Sequence, residues 1–476
     1  MKYRWLVVVI LLIAEFMDLL DTTIVNVALP AISADLDASS SQLEWIVSGY
    51  ILTFAVLLIT GGRLGDRFGR KTVFVVGVIG FTLSSLVCAI ATTADVLVIS
   101  RLVQGAFSAL MIPQVLSIIQ VLFRPKERAA VFGALGAVAG MAAVAGPLIG
   151  GSLVSADAFG LGWRSIFVIN LPVGLLLLVA SVIFIKNSKS EKLIRIDLAG
   201  VLLISGALFI LVFALIQGRE YEWPLWIWLM IAASPMLIAL FVRIQYRNEK
   251  ATGTSLIPTS LFRSRGYAAG AVTAFASTAS VASFYLIFAI YLQTGLGFSA
   301  IEAGLASLPF SIGAFFGSGI AIPLAARLGK TLIFMGSLLQ LGGYFWVSQV
   351  VIDKADILVG ADLIFPLAVA GVGLTLVLVP LNDVALAETD VSDAGAASGV
   401  LTTFQQVGAA IAVAVIGVVF FGIAEGNFSP SGLRDAFSAG VWVTLGAVAL
   451  TGATSFLLPS VAQVAAHKMS AEKLEV

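Results

Sequence analysis

What most limits the fold of this chain is a train of apolar runs, each about twenty residues or longer, that repeats from one end to the other. A helix rises about 1.5 Å per residue, so such a run reaches across the ~30 Å hydrocarbon layer of a membrane. Spans of this kind must be helical, because a helix pairs its own backbone groups where no water can. Composition agrees: 59% of the 476 residues are hydrophobic and only 11% are charged. That is too little charge to cover a soluble domain of this size. The expected fold class is therefore all-α integral membrane. Fourteen transmembrane helices are expected, at about 5–29, 44–61, 72–92, 96–118, 129–153, 164–185, 197–217, 223–243, 267–292, 301–325, 331–351, 357–381, 394–424 and 435–459.

The formal net charge of zero hides an asymmetry. With the N-terminus placed in the cytoplasm, 22 of the 27 Lys and Arg fall on that side; the others are Arg101, Arg164, Arg219, Lys354 and Arg434. This is the positive-inside pattern, and it predicts a multi-pass cell-membrane protein with both termini cytoplasmic. Met1-Lys-Tyr-Arg resembles the basic head of a signal peptide, but the apolar run after it is too long and no cleavage site follows, so the first span is expected to be retained. The lone Cys88 rules out an intramolecular disulfide. The only histidine, His467, lies in a polar tail, so proton chemistry inside the membrane must use carboxylates. With no cluster of His, Cys, Asp and Glu beyond the first span, neither an enzyme nor a metal or cofactor site is expected, and no nucleic-acid partner.

The first span carries EFMDLLD, with Glu15, Asp18 and Asp21 in two turns. Each acid at bilayer depth costs about 2.5–3.5 kcal/mol on insertion scales, and such acids by default mark an ion or substrate pathway. Glu15, Asp18, Thr22 and Asn26 fall within an arc of about 80°, with Asp21 about 60° beyond Asp18. A cation arriving beside these acids favours their ionised form, so its binding expels a proton. That competition is the chemistry of exchange.

The loop GRLGDRFGRK (62–71) is echoed by IPLAARLGKT (322–331), and ERAAVFGALGAVAG after the fourth span is echoed by DAGAASGVLTTFQQ after the twelfth. Each echo shifts by eight spans. This predicts two six-helix halves with two extra helices between them: a first bundle over 1–190, an insert over 191–252, a second bundle over 253–460 and a cytoplasmic tail over 461–476. Parallel repeats of this kind place a transport site near the midplane between halves.

GRLGDRFGRK resembles the signature of the major facilitator superfamily, and RLVQGAF (101–107) is similar to the pattern of its fourth helix. GPLIGG (146–151), with Gly133 upstream, resembles the antiporter motif of the fifth helix, although Ala142 stands where a glycine is usual. LDTTIVNVALP, WRSIFVINLPVG, LQTGLGFSAIEAGLASLP and GAASGVLTTFQQVG are similar to the fourteen-helix drug/proton antiporter branch. The resemblance covers nearly the whole chain. It implies a major facilitator fold and export of lipophilic, often cationic compounds driven by the proton gradient. It also implies proton coupling at Asp21, whose position matches the acid of the branch's first-helix pattern, with Arg101 beside the proton path. Asp18 and Glu15 are additions to that pattern. Gly62, Asp66, Arg67, Gly69 and Arg70 are expected to form a conformational latch in which Asp66 bridges to Arg124 or Arg128 of a neighbouring loop. Gly133, Gly146, Pro147, Gly150 and Gly151 are expected to let the fifth helix pack tightly and seal the path.

Helix position alone suggests a substrate cavity lined by Asn26, Trp45, Tyr50, Phe167, Phe284, Tyr285, Phe310, Phe404 and Gln405, with Asp362 as a second contact for a cation. The expected partners are such small molecules, protons and the bilayer, and the chain is expected to be a monomer. The alternative on the same fold is a narrow exporter, for a tetracycline–metal complex, a metabolite or a lipid.

Overall fold

The computed structural model describes residues 3–123, 125–157, 160–189, 197–252, 256–387, 394–425, 427–461 and 463, so nearly all of the expected tail 461–476 lies outside it. The helices are α1 (Arg4–Leu36), α2 (Ser40–Phe68), α3 (Arg70–Ala89), α4 (Ala94–Leu122), α5 (Pro125–Ala156), α6 (Ser165–Val168), α7 (Asn170–Phe184), α8 (Leu198–Gly218), α9 (Leu225–Thr252), α10 (Arg265–Ile290), α11 (Ala300–Leu328), α12 (Lys330–Lys354), α13 (Ile364–Ala385), α14 (Ala394–Ala424) and α15 (Pro430–Ser455). No strand occurs among the described residues.

Among the described residues, twelve stretches are long and apolar enough to cross a membrane: α2, α3, α4, the Gly162–Phe184 segment that holds α6 and α7, and α8 to α15. The count expected from sequence is larger by α1 and α5. These two differ in composition. α1 is 33 residues long but sets three carboxylates in its apolar stretch. α5 opens on the charged Pro125-Lys-Glu-Arg, and the apolar stretch found in it among the described residues is Gly140–Ala156.

The chain divides into two compact units, one formed by 1–241 with 292–305 and the other by 242–291 with 306–476. An offset of 260 residues relates α2 to α11 at both ends and α3 to α12 at its start. The caps repeat at the same offset. The Ser39 hydroxyl accepts from Gln42 N–H while Gln42 Oε1 accepts from Ser39 N–H, at 3.3 and 2.9 Å. Ser299 and Glu302 exchange the same pair of bonds at 3.3 and 2.8 Å. A capping box of this kind satisfies two of the backbone donors that a helix start leaves unpaired. In each copy the helix ends on a glycine with positive φ, Gly69 at 109° and Gly329 at 49°, a conformation that side chains with a Cβ avoid.

In the first unit, α2 and α4 lie close enough for backbone to touch backbone. A Cβ on Gly61 would fall on the Ala109 carbonyl, and one on Gly105 would fall on the Tyr50 carbonyl. Gly62, one residue along, faces open space apart from Pro113 Cβ at 3.7 Å. Gly61→Ala is therefore expected to destabilise the protein by about 1–3 kcal/mol, because backbone cannot give way as a side-chain tip can. Gly62→Ala is expected to be neutral. Thermal unfolding of the two variants in detergent checks the difference: a lowered midpoint for the first and an unchanged one for the second.

Candidate functional site

Asp18 and Asp21 leave α1 on its inward side, and both are buried, at 5% and 1% exposure. Asp21 forms an ion pair with Arg101 of α4, which is itself 1% exposed. Two amides complete its shell: Asn170 Nδ2 of α7 donates to Oδ1 at 2.7 Å and Gln104 Nε2 of α4 donates to the same oxygen at 3.1 Å. Both amides also donate to Ser85 Oγ of α3, at 3.2 and 2.7 Å.

Arg101 is held from every side. Its Nη1 donates to Gln104 Oε1 at 2.6 Å and its Nε donates to the Ile46 carbonyl of α2 at 3.1 Å. The guanidinium lies over the Tyr50 ring, 4.2 Å from its centroid, and 5.8 Å from that of Phe167. The Tyr50 hydroxyl in turn donates to Asp18 Oδ1 at 2.5 Å, and the Ser108 hydroxyl of α4 donates to the same atom. Five helices thus converge on two carboxylates and one guanidinium. Buried charges persist only when paired and hydrogen-bonded in this way.

The predicted acids are brought together, but they are closed into the interior of the first unit. The sequence reading placed them on an ion or substrate pathway. Two acids at bilayer depth need a cation and several donors, and α2, α4 and α7 supply these by packing over them. Glu15, one turn earlier, is half-buried and has no hydrogen-bond partner among the described residues. Asn26 turns back along its own helix toward the Thr23 carbonyl at 3.5 Å.

The aromatic residues assigned to a cavity from helix position make a set of ring contacts within each unit. Tyr50 and Phe167 flank Arg101. Trp45 packs on Phe209 and Phe213 of α8, at centroid distances of 5.7 and 6.3 Å. In the second unit Phe284 stacks on Tyr344 at 4.4 Å and on Phe288 at 5.0 Å, and Phe310 meets Tyr285 edge-on at 5.4 Å. Phe284 and Phe310 are buried core. Tyr285, Phe404 and Gln405 are half-buried; Phe404 lies 5.9 Å from Phe262, and the Gln405 carbonyl accepts from Thr278 Oγ1 at 2.6 Å. Asp362 is not two turns inside a span. It sits in the 3-10 turn Gly360–Leu363 that precedes α13, accepts from Val359 N–H at 3.1 Å, and lies 3.6 Å from Lys354.

The stretch 62–71, expected as a loop, is the end of α2, Gly69 and the start of α3; Asp66 in the last turns of α2 pairs with Arg70 at the start of α3, at 2.7 Å from Nη2 and 3.1 Å from Nε. The bridge expected from Asp66 to another loop falls on Arg124 and Arg128; Arg124 and the side-chain surroundings of Arg128 and Gly133 lie outside the described residues. Gly65 faces the Gln114 side chain, Gly69 the Asn187 side chain, and Arg67 lies 5.3 Å from the Phe68 ring. Arg70 N–H donates to the Ser188 carbonyl at 2.9 Å and Lys71 to the Val182 carbonyl at 2.7 Å, which ties the loop to the chain that leaves α7.

The glycines of the antiporter-like motif lie at close approaches. A Cβ on Gly146 would meet the Thr23 side chain of α1, one on Gly150 would meet Ile24, and one on Gly151 would meet the backbone at Ala300 and Ile301. Pro147 contributes its carbonyl to the same surface, against Gly304. Beyond the apolar run of α1, Asp35 accepts from Trp163 Nε1 at 2.9 Å and Arg164 Nη1 at 2.6 Å. These two bonds hold its carboxyl below the usual range.

Sequence reasoning passed over Asn170, Ser85 and Ser108, and it named Gln104 only as part of a motif. Asn170 was the most accessible of these, a lone amide in the apolar stretch FVINLPVG. Serines in membrane helices are too common to stand out.

The chain matches the major facilitator superfamily over residues 11–413 and belongs to it. It is 42% identical to a probable actinorhodin transporter of Streptomyces coelicolor over 421 residues, covering 88% of this chain and 73% of that one. It is 33% identical to a tetracenomycin C resistance and export protein of Streptomyces glaucescens, covering 94% and 83%. Among solved structures, a bacterial homologue of the human lysosomal transporter Spinster shares the fold at a TM-score of 0.68 and 16% identity, covering 96% and 97%. The protein is thus a multi-pass membrane transporter rather than an enzyme.

The geometry separates two substitutions at the ion pair. Arg101→Met leaves Asp21 buried without a cation and is expected to cost about 3–5 kcal/mol. Asp21→Asn is expected to cost less, because Arg101 keeps the Ile46 carbonyl, Gln104 Oε1 and the Tyr50 ring, with Asp18 nearby. Unfolding midpoints of the purified variants check the order.

Proposed function

We propose that this chain is a proton-coupled antiporter that exports lipophilic, often cationic compounds by alternating access. The observation that carries the reading is the buried pair of Asp21 and Arg101, set in a shell of amides and hydroxyls inside a superfamily transporter. A proton arriving at Asp21 cancels its charge and ends its attraction for Arg101. Arg101 then has Asp18 as the remaining nearby carboxylate, one turn along the same helix. The switch changes which part of α1 holds α4, and through Ile46 and Tyr50 it is felt by α2. Because the proton and a cationic compound compete for the same negative charge, each lowers the other's affinity by the same factor. Each pH unit across the membrane is worth about 1.36 kcal/mol per proton to that exchange.

In this reading α1 and α5 also cross the membrane, giving fourteen spans, with both termini in the cytoplasm of a monomer in the cell membrane. Asp66 and Arg70 hold the latch, and α5 closes on α1 through Gly146 and Gly150. A narrow-substrate exporter is the second reading. It is favoured by the two relatives described above, each of which carries the name of one compound.

Everted membrane vesicles with an acid lumen and a pH-sensitive dye test the coupling. Addition of a lipophilic cation such as ethidium is expected to release lumenal protons through the wild type and not through Asp21→Asn of equal abundance. Equal release through Asp21→Asn removes that residue from the mechanism. Transport that runs on ATP without a gradient overturns the reading.

A further inference from the structure

Four charged side chains are buried among the described residues: Asp18, Asp21, Arg101 and Glu44. The first three form the site already described. Glu44 does not belong to it. It lies in the second turn of α2, 1% exposed, on the face of the helix opposite Ile46 and Tyr50.

The surroundings of Glu44 leave it half satisfied. Oε1 lies 3.4 Å from Arg219 Nη2 at the end of α8, a long contact at the limit of hydrogen-bond range. Oε2 is buried and accepts no hydrogen bond. Two more buried atoms on the same helix lack partners, Ser41 Oγ and Ser48 Oγ. Residues three and four apart share a face of a helix, so both hydroxyls neighbour Glu44.

The other charges around α2 are committed elsewhere. Just past α8, Glu220 is exposed and accepts from the Ser39 hydroxyl at 2.8 Å. From α4, Asp95 accepts from Gln42 Nε2 at 2.7 Å, and Arg101 faces Asp21. From α1, Asp18 and Asp21 lie on the far side of α2, and Asp35 pairs with Arg164. The charges of α3, Arg70 and Lys71, are at its opposite end. Trp45, beside Glu44, closes the contact with α8 by packing on Phe209 and Phe213.

An ionised carboxylate with one long contact and one bare oxygen is costly in a buried place. A proton on Oε2 changes this: the new O–H donates to the Ser41 or Ser48 hydroxyl, which otherwise has no partner. In the ionised form the carboxylate draws Arg219 in and holds α8 against α2. We propose that Glu44 is a second proton-binding site, separate from the one at Asp21, and that the proton it takes up loosens the clamp between Arg219 of α8 and α2. The proton comes from water and stays on Oε2; Arg219 remains charged throughout. The proposal does not depend on Asp21 being the coupling acid.

Infrared difference spectra of the full-length protein in lipid, recorded between neutral and acidic pH, read the site directly. The wild type is expected to gain a protonated-carboxyl C=O band that Glu44→Gln lacks, with the bands of the other acids retained. Arg219→Gln, which removes the cation that holds the ionised form, is expected to show that band already at neutral pH. A Glu44→Gln spectrum that superimposes on the wild type overturns the proposal. Should Glu44→Gln fail to fold, the Arg219→Gln spectrum decides alone: carboxyl bands unchanged from the wild type at every pH overturn it.

Discussion

The first unit is organised around one interaction, the ion pair between Asp21 and Arg101. Removing two charges from water costs several kcal/mol for each, and their mutual attraction offsets this only with near-ideal geometry and further hydrogen bonds. Those bonds come from Asn170, Gln104, the Ile46 carbonyl and the face of Tyr50, so α1, α2, α4 and α7 must all arrive in register. Ser85 brings in α3 by accepting from both amides. The backbone contact of α2 with α4 follows from the same demand. Gly105, next to Gln104, lies against the Tyr50 carbonyl, and a larger residue there would push Tyr50 away from Arg101 and Asp18.

The second unit makes the contrast. Its glycine junction at Gly329 repeats that of the first at Gly69, but its described buried polar residues are neutral. Gln340 Nε2 donates to Ser280 Oγ at 3.2 Å, Ser283 and Thr444 share a hydrogen bond at 3.1 Å, and Thr273 and Thr454 share one at 2.8 Å. Around them Phe284, Tyr344 and Phe437 form an aromatic core. The described buried charges thus lie in the first unit, and the described core of the second is held by aromatic packing and neutral hydrogen bonds.

The helices were legible because each apolar run exceeds the thickness of a membrane, and the repeat was legible because its loop keeps the same glycine and basic positions. Asp21 and Arg101 stood out as charges where lipid forbids them. What they do to each other was not legible, since it depends on which faces of α1 and α4 meet. The surroundings of the cavity candidates were hidden for the same reason: Phe284 and Phe310 sit on apolar helices, and apolarity alone does not separate a packed core from a binding wall. Asp362 stands at the start of the Gly360–Ala385 span, and the sequence did not show the Lys354 that it lies beside. Glu44 was passed over because it stands at the first residue of its expected span and nothing in the sequence places Arg219 beside it.

The central claim is that Asp21 holds either a proton or the means to bind cargo. It is tested most directly on the purified protein in weakly buffered solution, by following pH as a lipophilic cation binds. The account predicts protons released in proportion to the compound bound by the wild type, and no release from Asp21→Asn that still binds it. Binding by the wild type without any change in pH would contradict it.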